Sequence, residues 1–204
     1  RAVITIGKDT PTRGNIEANA HALARYAALC QEASLTPIVE PEVLIDGDHT
    51  IERCYGVTVE TLHTVFDQLF RQRILFEGMI LKPSMVISGK SCPRKASMQQ
   101  VAEMTVQALL KTVPAAVAGV AFLSGGQTNE ESTAHLNAMH QLGVATPWPL
   151  TFSYARALQQ PALELWKGNP ANVPAAGQAL HHRARLNSAA SRGHYSEKQE
   201  KEAA

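Results

Sequence analysis

The sequence predicts an α/β fold built from parallel strands and crossover helices. Short apolar runs alternate with longer segments of helical period, an order typical of parallel sheets with right-handed connections. Residues of chemical interest recur where these runs end: Glu40, Lys82 and Ser124 are each 42 positions apart, and Arg156 follows 32 positions later. A TIM barrel brings all its strand ends to one face, whereas a doubly wound sheet uses mainly one switch point. Four polar strand ends in succession therefore favour an incomplete TIM barrel, about the last four to five β/α units.

The strands and helices can be placed in chain order. Five strands are predicted, at residues 2–6, 37–41, 79–81, 119–123 and 150–154. Apolar side chains at spacings of three and four residues predict the helices between them. The first covers 15–33 with Asn15 as its N-cap, the second covers 57–73, and Ser97 caps the third. Further helices are predicted at 130–139, 161–166 and 173–192.

The ends of the chain suggest how it is organised. Arg1 leads directly into the first strand, with nothing before it to organise that strand, so we interpret the sequence as the later part of a longer protein. Residues 1–195 are predicted to form one partial-barrel domain. The segment 196–204 is charged and carries no apolar anchor, so it is predicted to be a disordered tail.

Composition limits the classes of partner. Of the 204 residues, 45% are hydrophobic and 18% are charged, and the formal net charge is +1. This balance gives no electrostatic basis for binding nucleic acid or an anionic membrane. No apolar run of the sequence approaches the ~18 residues of a membrane span, and its three cysteines have neither metal-site nor disulfide spacing. We therefore expect a cytoplasmic protein.

Lys82 follows a short apolar strand directly. Pro83 disfavours helix at the residue before it, so Lys82 is expected in extended backbone at the strand end. Partial burial at that position disfavours the charged ammonium, and a neutral amine is a nucleophile towards carbonyl groups. The position therefore suits Schiff-base chemistry. The alternative is a structural lysine whose head group extends into solvent.

Glu40 is the carboxylate predicted at the end of the neighbouring strand. A partly buried carboxylate can both donate and accept protons near neutrality, which Schiff-base formation requires when water leaves the carbinolamine. Glu42 is a second candidate, since it lies two residues on and on the same strand face if the backbone stays extended. The alternative is that Glu40 only forms a structural ion pair with Lys82.

Ser124-Gly125-Gly126 opens a loop directly after the fourth strand. Glycines allow successive backbone N–H groups to point into one concavity, and such nests bind phosphate oxygens. Arg156, at the next strand end, is a residue type that binds phosphate through two parallel hydrogen bonds. Together they predict a phosphate site, and the alternative is an ordinary glycine turn beside a surface arginine.

Two further patterns are similar to sites of other chemistry. Asp46-Gly47-Asp48-His49-Thr50 imitates the aspartate-nucleophile motif of haloacid-dehalogenase-type phosphohydrolases, but the later strand ends offer Ser124 and Arg156 in place of the acidic pair that this chemistry needs. A solvated turn is the preferred interpretation. His181 and His182 are adjacent on a predicted helix and do not project together. No metal and no cofactor is expected.

Four strings of the sequence, in this order, resemble class I fructose-bisphosphate aldolase: Pro37-Ile38-Val39-Glu40-Pro41-Glu42, Leu81-Lys82-Pro83, Phe122-Leu123-Ser124-Gly125-Gly126 and Ser153-Tyr154-Ala155-Arg156-Ala157. The resemblance extends over about residues 1–192. It implies a metal-independent lyase of glycolysis that reversibly cleaves fructose 1,6-bisphosphate to dihydroxyacetone phosphate and glyceraldehyde 3-phosphate. It also implies a cytoplasmic homotetramer whose partner is a sugar phosphate.

The same resemblance implies roles for individual residues. Lys82 would form the Schiff base and Glu40 would transfer protons. The other implied substrate- or phosphate-binding residues are Ser124, Gly125, Gly126, Ser153, Arg156, Leu123, Tyr154, Arg1 and Glu42, with Leu123 and Tyr154 acting through backbone groups.

Some features depart from the family's pattern or lie outside the chain. Ser84 and Ala155 replace a common asparagine and glycine, and the family's other proton-transfer residues fall before Arg1. The isolated chain is therefore expected to bind ligand weakly and to cleave it poorly. Two other hypotheses stay open, namely another Schiff-base barrel enzyme of the transaldolase type and a non-catalytic aldolase-derived binding fragment.

Overall fold

The structure is a computed structural model that describes residues 1–201, and the last three residues of the predicted tail lie outside the described residues. Its strands are short and parallel throughout. In chain order they are β1 (Ala2–Ile4), β2 (Ile38–Val39), β3 (Pro41–Val43), β4 (Ile80–Leu81), β5 (Gly119–Phe122) and β6 (Leu150–Phe152). The α/β class predicted from the sequence is confirmed.

The second predicted strand is split at Glu40. β2 and β3 lie on either side of this residue, and they pair with different neighbours: β3 with β1, and β2 with β4. The backbone oxygen of Glu40 still accepts a hydrogen bond from Ala2 N at 3.0 Å. The two fragments therefore continue one path, and the spatial order of the strands is β1, β3/β2, β4, β5, β6.

Helices α1 to α4 connect the parallel strands, and α5 and α6 follow β6. They are α1 (Arg13–Glu32), α2 (Ile51–Arg71), α3 (Met98–Thr112), α4 (Asn129–Gln141), α5 (Arg156–Trp166) and α6 (Val173–Ala190). Short 3-10 helices occupy Phe76–Gly78, Pro170–Asn172 and Glu197–Lys201. Neighbouring helices pack side by side in the order α1 to α4, and α6 lies against both α4 and α5. Among the described helices, none is long and apolar enough to cross a membrane.

The starts of two helices differ from those predicted from the sequence. Ser97 caps α3 as predicted, in a capping box with Gln100. α1 begins earlier than predicted, because Thr12 rather than Asn15 accepts the capping hydrogen bond. α2 begins at Ile51, six residues before the predicted start, because Thr50 caps it. A threonine hydroxyl satisfies an otherwise unpaired N–H group in both helices.

The core lies between the sheet and this layer of helices. Strand side chains such as Val39, Leu81, Val120 and Phe122 are completely buried. Unbroken apolar strands of this kind are covered on both faces, as expected for a parallel sheet.

The division of the chain at residue 195 stays a prediction. Within the tail, Glu197–Lys201 forms a 3-10 helix rather than an irregular segment. Glu200 in this helix forms an ion pair with Arg183 of α6, which is a contact that charge composition alone did not suggest.

Candidate functional site

Four of the predicted site residues lie at one edge of the sheet, since all the strands run parallel. Glu40 interrupts the β2/β3 path, Lys82 directly follows β4, Ser124 lies two residues beyond β5, and Ser153 directly follows β6. Carboxyl ends of parallel strands meet at the same edge. The strand-end arrangement that the sequence spacing predicted is therefore present.

Lys82 and Glu40 are in contact. Lys82 Nζ is 3.4 Å from Glu40 Oε1, and each side chain is 18% exposed. The Lys82 backbone is fixed next to β2 by a hydrogen bond from its N–H to the Val39 oxygen at 2.8 Å. An amine and a carboxylate this close can exchange a proton directly or through one water molecule. The arrangement offers a nucleophile together with its acid–base partner.

Glu42 lies beside Glu40 in sequence but has a different partner. Arg1 Nη1 is 2.9 Å from Glu42 Oε2, and the arginine side chain is largely exposed while the carboxylate is buried. Ala2 of β1 is in register with Pro41 of β3, so Arg1 lies directly before the end at which both strands begin. The two carboxylates thus bind separate cations on opposite sides of the β2/β3 path.

The loop after β5 has the backbone geometry of an anion-binding nest. Gly125 and Gly126 have φ values of 56° and 83°, in the left-handed region that glycine adopts without strain. Ser124 is buried. Its backbone carbonyl oxygen accepts a hydrogen bond from Gln127 N at 3.0 Å, and this hydrogen bond closes the turn. Leu123 is buried beneath this turn.

Two residues that the sequence analysis did not identify support this loop. Gln127 Nε2 donates to the Ser124 oxygen at 3.0 Å, and Gln127 Oε1 lies 2.6 Å from His135 Nδ1. Because the amide oxygen can only accept, His135 donates from Nδ1. Burial lowers the pKa of His135, and the nearby Glu131 carboxylate opposes this only in part. A neutral histidine on α4 therefore orients Gln127 and, through it, the glycine loop.

The segment after β6 contributes an exposed arginine and a helix start. Ser153 N donates to the Phe122 oxygen at 2.8 Å, which joins this segment to β5. Arg156 is exposed at the first position of α5, and this helix has no side-chain cap. Unpaired N–H groups at a helix start attract anions. The loop after β5 and the start of α5 thus both offer backbone N–H donors, and a phosphate site between them stays a prediction.

Tyr154 has a structural side chain. It is buried, and its hydroxyl donates to the Ser132 oxygen of α4 at 2.8 Å. Burial raises the pKa of this phenol above its usual value. The side chain is therefore engaged within the fold, and the backbone role implied by the family resemblance stays a prediction.

The Asp46–Thr50 segment is bound to the loop that follows β4. Gly89 N donates to the His49 oxygen at 2.9 Å and Ser91 N donates to the Gly47 oxygen at 2.8 Å. Asp46 is exposed and lies 3.6 Å from Lys90 Nζ. His49 is buried, and burial lowers its pKa although Asp48 opposes the shift. Within residues 1–201, no group of three or more His, Cys, Asp or Glu side chains could hold a metal ion.

Comparisons with known proteins agree on one family. Residues 1–204 match the family model described as Fructose-bisphosphate aldolase class-I. The chain is 60% identical over 194 residues to the Xanthomonas campestris pv. campestris protein named "Probable fructose-bisphosphate aldolase class 1". It is 52% identical over 195 residues to fructose-bisphosphate aldolase B of Gallus gallus. These alignments cover 95% and 96% of this chain but 58% and 54% of the two relatives, so the chain spans little more than half their length.

A solved structure is also similar. It contains fructose-bisphosphate aldolase from Plasmodium falciparum in complex with TRAP and a small-molecule inhibitor. The similarity has a TM-score of 0.94 at 47% identity, over 96% of this chain and 57% of that chain. The parallel strand order and this match together confirm the predicted partial TIM barrel.

Proposed function

The chain belongs to the class I fructose-bisphosphate aldolase family, and we propose that it carries the Schiff-base and phosphate-binding part of an aldolase site. The reaction would be the reversible cleavage of fructose 1,6-bisphosphate to dihydroxyacetone phosphate and glyceraldehyde 3-phosphate. The observation that carries this proposal is the 3.4 Å contact between Lys82 and Glu40 at adjacent strand ends, beside the nest of Gly125 and Gly126.

Lys82 is proposed as the nucleophile. Its neutral amine adds to the ketose carbonyl carbon and gives a carbinolamine. Glu40 donates a proton to the departing hydroxyl group, so water leaves and an iminium forms. The Glu40 carboxylate that this step leaves then accepts the proton of the substrate hydroxyl group that becomes the aldehyde oxygen. The electrons of the breaking carbon–carbon bond pass to the iminium, so the aldehyde product leaves and an enamine stays on Lys82. Glu40 returns the proton to the enamine carbon, and addition of water to the resulting iminium releases the second product and restores the amine of Lys82 and the acid form of Glu40.

The phosphate group is proposed to bind between the loop after β5 and the start of α5. The Ser124 hydroxyl and the Gly125 and Gly126 amides can donate hydrogen bonds, and Arg156 supplies a positive charge. Ser153, the Leu123 and Tyr154 backbones and the Arg1–Glu42 pair complete the proposed set. Binding of a non-reacting phosphate would hold the carbonyl carbon near the lysine, which raises the effective concentration of the two groups.

Adduct trapping tests this proposal directly. The chain would be incubated with dihydroxyacetone phosphate, reduced with borohydride, digested and mapped by mass spectrometry. We expect one stable label, on Lys82, and none in the Lys82→Gln variant. The matched control is Lys8→Gln, which removes an exposed lysine outside the site. Label on a different lysine, or none on the wild-type chain, would contradict the assignment.

Two further properties are proposed with it. The described cysteines Cys30, Cys54 and Cys92 are all free thiols, which is typical of a reducing compartment and supports a cytoplasmic location.

A homotetramer is supported by the family resemblance and by the exposed apolar side chains of Phe70 and Leu75, which line one surface depression. Light scattering after gel filtration would test the tetramer, and a monomeric mass would contradict it.

A further inference from the structure

We propose that Lys90 is a second cation of the phosphate site, and that Asp46 holds its ammonium group while no phosphate is bound. This inference rests on the proposed function, because it assigns one more residue to the loop of Ser124, Gly125 and Gly126. It also gives a role to the Asp46–Thr50 segment, whose sequence indicates a solvated turn and whose Asp46 Oδ1 lies 3.6 Å from Lys90 Nζ.

The Lys90 side chain reaches across to the glycine loop. A Cβ atom placed on Gly126 would lie 2.9 Å from Lys90 Nζ and 3.3 Å from Lys90 Cε. The ammonium therefore occupies the face of Gly126 where any other residue would carry its side chain. Lys90 follows β4 in the chain and Gly126 follows β5, so the contact joins two adjacent strand-end loops.

The backbone around Lys90 is fixed by hydrogen bonds to residues 45–49, whereas the Lys90 side chain is half exposed. Its N–H donates to the Ile45 oxygen at 2.8 Å, between the two hydrogen bonds that Gly89 and Ser91 donate to the same segment. A Cβ at Gly89 would clash with the Gly47 oxygen, so the two segments can approach this closely only because residue 89 is a glycine. The hydrogen bonds between these two segments position the Lys90 side chain next to the loop of Gly125 and Gly126.

The ion pair with Asp46 is loose. Lys90 Nζ and Asp46 Oδ1 are 3.6 Å apart, beyond the usual length of a charge-assisted hydrogen bond. Both side chains are about half exposed or more, and exposed pairs of this kind contribute little to stability. A phosphate on the Gly125 and Gly126 amides would bring about two negative charges beside an ammonium that now faces one carboxylate. Lys90 would exchange Asp46 for the phosphate.

A phosphate titration of the full chain, followed by the NMR shifts of the Gly125 and Gly126 amides, tests this exchange. We expect Lys90→Gln to weaken binding of inorganic phosphate by about two- to fivefold, because the charged contact that is lost is half exposed and screened by water. Asp46→Asn should strengthen binding by about two- to threefold, because Lys90 loses its competing partner. The double variant should match Lys90→Gln alone. Lys111→Gln, an exposed lysine of α3, should match the wild type.

Unchanged phosphate affinity in Lys90→Gln would overturn the inference, as would an Asp46→Asn effect that persists without Lys90. Absence of any phosphate-dependent shift at the two glycines would also overturn it. Failure of the proposed function is distinguishable, because that failure appears as no borohydride label on Lys82. If Lys82 is labelled but Lys90→Gln leaves the phosphate affinity unchanged, only the inference about Lys90 is rejected. If Lys90→Gln weakens phosphate binding but Lys82 is not labelled, the inference about Lys90 is supported and the proposed function is not.

Discussion

Arg183 of α6 and Glu200 of the last 3-10 helix form an ion pair in which the arginine is almost completely buried. The guanidinium also donates to Thr133 Oγ1 at 2.7 Å and to the Asn129 oxygen at 2.9 Å, both on α4. Tyr195 completes the cluster, since its hydroxyl donates to Glu200 Oε1 at 2.8 Å. This cluster attaches the end of the described chain to two helices of the barrel.

Neutralising Glu200 should therefore destabilise the protein. Glu200→Gln removes the counter-charge of a buried arginine, and we expect the free energy of unfolding to fall by about 2–4 kcal/mol. Unfolding in guanidinium chloride would show this loss as a lower denaturant midpoint, with an unchanged slope of the unfolding free energy against denaturant concentration. Glu197→Gln is the matched control, because Glu197 is exposed in the same 3-10 helix. An equal loss in both variants would show that the buried pair is not the cause.

Removal of the Glu40 carboxylate should slow adduct formation and leave the fold intact. Glu40→Gln keeps the shape of the side chain 3.4 Å from Lys82 but can no longer take up or release a proton. General acid–base groups of this kind contribute about 10²–10⁴-fold to rates, so the rate of borohydride-trappable adduct formation should fall at least about 100-fold. Glu17→Gln on α1 should have no effect. Wild-type trapping rates in Glu40→Gln would contradict the proton-transfer role.

Two glycine-to-alanine substitutions should have opposite signs. Gly125→Ala places a Cβ on a backbone with φ of 56° and 3.0 Å from Leu123 Cδ1, so it should cost about 1–2 kcal/mol and weaken phosphate binding. Gly56→Ala fills open space on α2 and should stabilise the protein by about 0.5–1 kcal/mol. Thermal unfolding of both variants checks the pair. A stabilised Gly125→Ala would contradict the left-handed conformation of the loop.

Stability should decline as the pH falls below about 6.5, the ordinary pKa of histidine in an unfolded chain. Burial lowers the pKa of His135 and His49 in the folded protein, so the unfolded state binds protons first. Their contribution is complete above pH 6.5 and is lost as the pH falls towards the folded pKa values. His135→Asn keeps a donor towards Gln127 and should flatten this decline, whereas exposed His21→Asn should not. Denaturant midpoints measured between pH 5 and 8 would show the difference. The same dependence of the midpoint on pH in His135→Asn and in the wild type would contradict the prediction.

The sequence was sufficient where a feature depends on local pattern. Apolar runs gave the strands, and regular spacing placed Lys82 beside Glu40 because parallel neighbours end at the same edge. It was insufficient where a contact joins loops. Gln127 and His135 meet across a turn and a helix, and Lys90 reaches Gly126 between two strand-end segments. Such distances depend on loop paths, which periodicity does not encode.

The interruption of a strand at Glu40 was also beyond the sequence pattern. Pro41 follows Glu40, and the residues on either side pair with different neighbours. The early starts of α1 and α2 have a simpler cause, since Thr12 and Thr50 are among the many hydroxyl residues that can cap a helix. Choosing between candidate caps requires the packing of the helix, which decides how far its apolar face extends.

An open sheet can flatten, whereas a closed ring of strands fixes the angle between neighbours. Among the described residues, β1 and β6 each pair on one side only. Three hydrogen bonds span consecutive strand ends beside the site, from Ser84 Oγ to the Val43 oxygen, from Leu123 N to the Pro83 oxygen and from Ser153 N to the Phe122 oxygen. These three hydrogen bonds limit how far the strand ends can separate. They help to maintain the spacing between the amine of Lys82 and the loop of Gly125 and Gly126.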